Sequence, residues 1–545
     1  MAATDKYFLI AIGGTGMRCL ESFTHLCAMG MFDSKEIDIL TLDTDQTNGN
    51  KARAENLVRQ YNKIKFSPGS EGGNVNSNTF FSAKLNLHEF WTNYDGAGRE
   101  NFNNISHIHK GDGKVKENNK LLSDLFLDEN VKQFNLAHGY RAQTHLGSYL
   151  MYHGLIESAR RLHLGADVKT EDKAFEKFIE KIEKAGEDAK IFVLGSIFGG
   201  TGASSIPIIP KAIDNAIKIR SGNKSRLDPE AKFGATLLTE YFSFKKPDAS
   251  QMASKENSVI ADSSFFSLNS QAALQFYQSD PTVQSTYKKM YHVGWPSNTK
   301  NYSEEGKDTK TITGGESQKN SCHVAELICA SAAYDFFSSD KGLDVEAAEY
   351  IFKSVGFENN TLQFDFNDFI GDKDAGKLFA NRLGAFFAFA HVVLSKNKGA
   401  FGDKGVKGLL NRLQKEVDLY TSITDEYADG LEAFMKMFGY DYQGEKFKAG
   451  WIYQVRSTAP GSFVFMDEAF SRDAKELQKL DVGKLFEDEK YHWDKGGVFG
   501  DRYDTFISTL KDDKTQPTED QNCKTTNEKF LAHIFNALSK SQNII

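Results

Sequence analysis

The chain lacks long apolar runs, blocks of like charge and closely paired cysteines, and each gap excludes a class of protein. Its longest apolar stretch, Leu383 to Leu394, is too short to span a bilayer and reads as a buried helix. No basic segment precedes an apolar one at the N-terminus, so no secretory leader is expected and the first apolar residues read as a strand. The net charge is −8 without a run of one sign, which argues against nucleic acid as the main ligand. The five cysteines (Cys19, Cys27, Cys322, Cys329 and Cys523) are odd in number and show no Cys-x-x-Cys spacing. That points away from zinc and from a disulfide framework, toward reduced thiols in a cytoplasmic protein. With 545 residues, two or more domains are expected.

What is present is a repeated tetrapeptide. Gly13-Gly14-Thr15-Gly16 follows the strand-like run Tyr7 to Ile12, and Gly199-Gly200-Thr201-Gly202 follows Ile191 to Leu194 after a short Gly195-Ser196 break. A helix-compatible stretch follows each copy. Glycines between strand and helix let the backbone turn tightly and come close to a ligand. The following helix points free N–H groups and the positive end of its dipole at an anion. One such loop is common; two imply a polyphosphate held from two sides.

The N-terminal part alternates between the two kinds of element. Strands are expected at 6–12, 37–42, 190–195 and 233–239, and helices at 16–29, 144–163, 170–187 and 201–218. This alternation predicts an α/β fold with a mostly parallel sheet covered on both sides, and ligands at the carboxyl ends of its strands. Both glycine loops and the turn Asp43-Thr44-Asp45-Gln46 fall at such ends. Residues 65–120, rich in Asn, Gly, Ser and Lys, read as loops and surface insertion. Further helices are expected at 263–279, 322–339, 342–355, 375–396, 404–437 and 467–482. The expected division is a nucleotide-binding domain over 1–262, a central connecting helix over 263–280 and an α-rich C-terminal domain over 281–545.

Taken alone, Gly14-x-Gly16-x-x-Cys19 approximates a dinucleotide fingerprint, with Asp43 or Asp45 available to a ribose. The second loop tips the balance, because a dinucleotide domain has no need of another glycine cradle on a later strand.

Phe198-Gly-Gly-Thr-Gly-Ala-Ser-Ser205 resembles the signature loop of the tubulin/FtsZ superfamily, without its leading and final glycines. Leu42-Asp-Thr-Asp-Gln46 is similar to the Asn-Thr-Asp-x-Gln turn of FtsZ. Gly139 to Gly147 stands where the third phosphate loop would, and Phe233 to Phe244 resembles the strand and loop after the signature helix. Gly314 to Leu327 resembles the pattern of the prokaryotic tubulin-like branch. The match in motif order covers residues 1–340.

The resemblance implies a protein that binds GTP or GDP with Mg2+. Gly13, Gly14, Thr15, Gly16, Met17 and Arg18 on the first loop, and Gly199, Gly200, Thr201 and Gly202 on the second, would face the phosphates, with Arg141 as a cation and Asp45, Gln46 and Glu240 nearby. Asp43 or Asp45 would hold the metal. Asn269 would read the base, and Phe265 would stack on it; a Phe at this spacing is as readily a core residue. Head-to-tail assembly into a filament is implied, with Glu326, Gln318 and Asn320 completing hydrolysis on the neighbouring subunit and Glu316 as the substitute for Glu326. Glu326 and His323, at i and i+3, could equally form a plain surface pair. The glycine loops and the Glu326 segment are expected on opposite sides of the subunit. Two other readings stay open: a non-polymerising nucleotide switch or scaffold with a protein partner on the α-rich half, and a dinucleotide-dependent oxidoreductase.

Overall fold

In the computed structural model the described residues are 5–45, 48–66, 73–91, 114–133, 143–242, 263–295, 323–339 and 343–354, shorter stretches between 356 and 465, residues 508–542, and the single positions 102, 136, 140 and 506. The expectations for Gln46, Arg141, Glu316, Gln318, Asn320 and the helix at 467–482 lie outside them.

Seven parallel strands form one sheet in the order β3-β2-β1-β4-β5-β6-β7. The strands are β1 (Lys6–Ile12), β2 (Glu36–Asp43), β3 (Lys84–Trp91), β4 (Ala189–Leu194), β5 (Lys232–Leu238), β6 (Tyr287–Gly294) and β7 (Glu349–Ser354). Ile10 sits at the centre, in register with Leu40 of β2 and Val193 of β4. Every residue of β4, and β1 from Phe8 onward, is buried. Both faces of a parallel sheet are covered by crossover helices, so its strands read as continuous apolar runs.

One face carries α1 (Gly13–Ala28), α2 (Gly49–Lys65) and α11 (Val324–Ser338). The other carries α5 (Thr144–Leu164), α6 (Thr170–Ala185), α7 (Gly200–Ser205), α8 (Ile209–Arg220) and α9 (Phe266–Ser279). The short helices α3 (Lys114–Phe126) and α4 (Glu129–Gln133) precede α5, and α10 (Pro281–Thr286) follows α9. Helix α11 is buried nearly all round, packed on β4, β5, β6 and α1, and its apolar cluster continues into α12 (Lys373–Leu394), α14 (Asp425–Gly439) and α15 (Thr526–Gln542). Helix α13 (Val406–Glu416) packs beside α14.

Several expectations are corrected. Residues 65–120 contain β3, an edge strand of the sheet, paired along its whole length with β2. The stretch 342–355 holds a strand, β7, rather than a helix; Ile351 and Lys353 turn inward while Tyr350 and Phe352 turn out, the period of two that a strand imposes. The helix expected at 201–218 is broken over 206–208, where Pro207 lacks an amide hydrogen and Pro210 opens α8. The region 404–437 is two helices, α13 and α14.

The expected division at 262–281 does not follow the sheet. Helix α9 lies between β5 and β6, which pair directly, so it is a crossover within the sheet layer and not a connector between domains. Strands β6 and β7 extend the same sheet past residue 281. The C-terminal helices share one apolar cluster with α1, α2 and α11. The C-terminal region is also tied to the loop before β3 by polar bonds: Asn76 Nδ2 donates to Asn522 O at 2.9 Å, Gln521 Nε2 to Asn78 O at 2.6 Å, and Arg382 Nη2 to Asn78 Oδ1 at 2.9 Å.

Candidate functional site

Strands β1 and β4 are neighbours, and the chain leaves them toward opposite faces: α1 on one side, α7 on the other. Such a reversal point opens a crevice at the carboxyl ends of the strands. The two glycine loops flank it.

The first loop enters α1 without an intervening residue. Gly13 has φ +68°, the left-handed region, and a Cβ there would lie 3.1 Å from Cβ of Thr201 in the second loop. The loops are therefore in contact. Gly16 and Gly202, the last glycines of the two copies, rest on the same strand end. A Cβ on Gly16 would come within 2.5 Å of the Leu194 carbonyl oxygen, and one on Gly202 within 2.3 Å of the Ser196 carbonyl oxygen. Glycine is required at both positions for close approach to the end of β4. Gly199 differs: its φ of −96° suits any residue, and a Cβ would meet only Ser196 Oγ at 3.7 Å.

Neither helix that starts here is capped by a side chain. The N-cap residues are Ile12 and Gly199, and no acidic residue stands in the first turn of α1 or α7. The first backbone N–H groups of a helix have no intrahelical partner. The third loop joins them: a Cβ on Gly147 would lie 2.5 Å from Ser204 Oγ, and Ser148 Oγ donates to Ser204 O at 2.9 Å, so the start of α5 lies against α7.

The other candidates occupy varied places around this crevice. Gly14, Thr15 and Thr201 are partly exposed at its edge, whereas Met17 is a buried core side chain. Asp43 and Asp45 are both buried at the end of β2. Asp43 organises its own turn: Oδ1 accepts from Thr44 N at 2.7 Å and Asp45 N at 3.2 Å, and Oδ2 accepts from Asn48 Nδ2 at 3.1 Å. Burial, then the nearby Asp45 charge, push its carboxyl up to about 7. Among the described residues, no group of three or more His, Cys, Asp or Glu is placed to hold a metal ion. Asn269 donates from Nδ2 to the Phe198 carbonyl at 3.3 Å, just before the second loop, and its neighbour Ser270 donates to Glu240 at 2.9 Å. Phe265 is exposed. Its neighbour Phe266 packs against Phe198, at 5.0 Å between centroids.

Glu326 is where the expectation fails. Rather than facing away from the glycine loops, it is fully buried and pairs with Arg18, two residues past Gly16 on α1, at 2.5 Å. Its Oε1 also accepts from the Tyr241 hydroxyl at 2.7 Å, and its Oε2 from the His323 backbone N–H at 3.0 Å, which closes a capping box at the start of α11. The guanidinium lies near the rings of Tyr241 and Phe242, 5.6 and 5.7 Å from their centroids. Burial draws Glu326 toward its protonated form. A neutral acid would leave the Arg18 charge buried without its counter-ion, so the pair is ionic. Arg18 is thus committed to Glu326, and Glu326 is withdrawn from any neighbouring molecule.

Sequence reasoning missed the residues that hold the second loop. Gly195 N donates to Thr236 Oγ1 at 3.0 Å, fixing the break after β4. The buried Tyr277 and Tyr287 hydroxyls donate to the carbonyls of Ala203 and Ile206 at 2.6 and 2.5 Å, covering carbonyls at the end of α7. Their signal was a pair of tyrosines in amphipathic positions, indistinguishable in sequence from ordinary core aromatics.

No family model matches the chain, and no curated protein or solved structure matches it. Among the described residues, no helix is long and apolar enough to cross a membrane.

Proposed function

We propose that this chain is a nucleotide-binding protein that holds the polyphosphate of a purine nucleoside triphosphate, GTP in preference to ATP, between its two glycine loops. One observation carries the reading: two helix N-termini without side-chain caps, touching through Gly13 and Thr201, open on the same crevice at the β1–β4 reversal point. Backbone N–H groups from both loops suit an anion with several phosphate oxygens better than a single carboxylate.

Two carboxylates, Asp43 and Asp45, would hold Mg2+ with phosphate and water oxygens completing its shell. The fit is chemical: Asp43 is pushed toward neutrality partly by the Asp45 charge, and a divalent cation would offset that repulsion. The metal would neutralise developing charge on the phosphates. The residues of this chain bind and orient the nucleotide, and exclude water from its phosphates.

A tubulin/FtsZ-like filament protein remains the fuller form of this reading. A nucleotide switch that does not polymerise is the second reading, and the burial of Glu326 favours it, since the acid expected to act on a neighbour is engaged within its own subunit. The dinucleotide reading shares the strand order but has no need of a second glycine loop after β4. Chromatography of nucleotide released on denaturation tests the proposal: GDP or GTP supports it, and NAD(P) overturns it in favour of the oxidoreductase. Light scattering with GTP across a protein concentration series then separates filament from switch.

A further inference from the structure

We propose that Glu326 is a positioning residue for the phosphate site of its own subunit, acting through Arg18 on the first glycine loop. The inference rests on the nucleotide reading above and assigns to Glu326 the opposite of a shared, inter-subunit role.

One carboxylate collects donors from three chain segments at the carboxyl edge of the sheet: Arg18 on the first turns of α1, Tyr241 after β5, and the His323 backbone ahead of α11. Each segment leads to a wall of the crevice. Arg18 is separated from Gly16 by a single residue, so its position sets the direction from which α1 meets the first loop. Tyr241 follows Glu240, which accepts from Ser270 beside Asn269. The ring of Phe242 packs on Phe198, the residue before the second loop, at 5.3 Å between centroids. Cys19 and Cys329, both buried and free, sit on α1 and α11 beside the ion pair.

A fully buried ion pair contributes little net stability compared with apolar residues of the same volume, so what this pair supplies on the present proposal is geometry. Here the geometry is specific. Arg18 carries five N–H donors in a rigid fork, and Glu326 accepts from three directions, so the three segments cannot slide independently.

The test compares wild type with Glu326→Gln, Arg18→Gln and the double variant. Affinities for Mg–GTP, GDP and guanosine are measured by calorimetry, with thermal unfolding run alongside. Each single variant should lose about tenfold in GTP affinity, and the double variant should lose no more than either single, because the two residues act as one unit. Guanosine affinity should stay within about twofold, since the loss belongs to the phosphate side; a general loosening of the fold would weaken all three ligands together. If Glu326→Gln does not fold, the double variant, which carries no buried charge at this place, gives the same readout. Wild-type GTP affinity in the folded variants, or equal losses for GTP and guanosine, would overturn this inference and leave the nucleotide reading standing. Wild type that binds none of the three ligands would overturn both.

Discussion

Behind the first glycine loop stands an ion pair; behind the second stand neutral hydroxyls and an amide. Arg18 and Glu326 hold the start of α1, whereas Tyr277, Tyr287, Ser148 and Asn269 hold α7, Ile206 after it and Phe198 before the loop through carbonyl oxygens. The tetrapeptides are identical, so the difference comes from the helix downstream of each. Helix α1 runs for 16 residues and ends its own hydrogen-bond ladder far from the loop. Helix α7 has only 6 residues before Pro207, which brings its last carbonyls close to the loop, where they need outside donors. A long helix can be positioned by one strong tie near its start, while a short one is held at both ends.

The largest effect expected from breaking this contrast is at the ion pair. Glu326→Leu should cost about 3–5 kcal/mol, because it leaves the Arg18 charge buried without its partner, and Arg18→Met added to it should recover most of the loss. Urea unfolding of the two variants checks this. A double variant as unstable as the single would show that packing, not charge, holds α1.

On the other side, Tyr277→Phe should cost about 1–3 kcal/mol by leaving the Ala203 carbonyl unsatisfied. Burial pushes the Tyr277 hydroxyl well above its ordinary range, so it stays neutral and this cost should be the same at pH 5 and pH 8. A cost that changes across that interval would contradict the neutral character assigned to the second support.

Gly13→Ala should come next at about 1–2 kcal/mol, the strain of a left-handed backbone, with the new methyl pressed on Thr201. The corresponding Gly199→Ala should shift stability by no more than about 0.5 kcal/mol, since its backbone is extended and the methyl meets ordinary contacts. Thermal unfolding of both, side by side, asks whether the same letter in the two copies has the same job. Equal losses would mean it does.

A pH-graded effect is expected at Asp43, beside the first loop. Its folded carboxyl titrates at about 7, above the usual carboxylate range, so the folded chain holds a proton there that the unfolded chain releases. Stability from this group is present below pH 4 and is lost as pH rises toward 7. Asp43→Asn removes that dependence, so the variant's melting temperature should gain on wild type between pH 4 and pH 7 and keep its lead above. A constant offset across the range would rule out titration at Asp43.

The sequence carried the sheet wherever a compact apolar run stood between polar or glycine residues. Strands β1, β2, β4 and β5 fall within a residue or so of the expected positions, and the glycine loops lie at the ends of β1 and β4. It hid β3 and β6, because Lys84–Trp91 is half polar and lies in a stretch rich in Asn, Gly, Ser and Lys, and Tyr287–Gly294 carries two lysines and a histidine. It also hid β7, a short edge strand in which Tyr350 and Phe352 are exposed and Lys353 is buried, the reverse of the polarity that marks a strand's buried face. The two loops of the proposed site were legible as glycines between strand and helix, and the structure brings them into contact. The supports were not. Glu326 at three residues from His323 has the same spacing whether it lies on a surface or closes a buried capping box, and only the third dimension brings Arg18 to it from 308 positions earlier.

The most direct test of the polyphosphate cradle is a calorimetric titration of wild type and Gly199→Ala with Mg–GTP and with guanosine. At Gly199 a methyl group would meet only Ser196 Oγ at 3.7 Å, so it leaves the fold undisturbed, and on the proposed reading it would stand in the way of the phosphates. Wild type should bind GTP far more tightly than guanosine, and Gly199→Ala should lose at least about tenfold in GTP affinity at an unchanged melting temperature. Equal affinity of the two proteins for GTP, or no preference of wild type for GTP over guanosine, would contradict the claim that the paired glycine loops hold a polyphosphate.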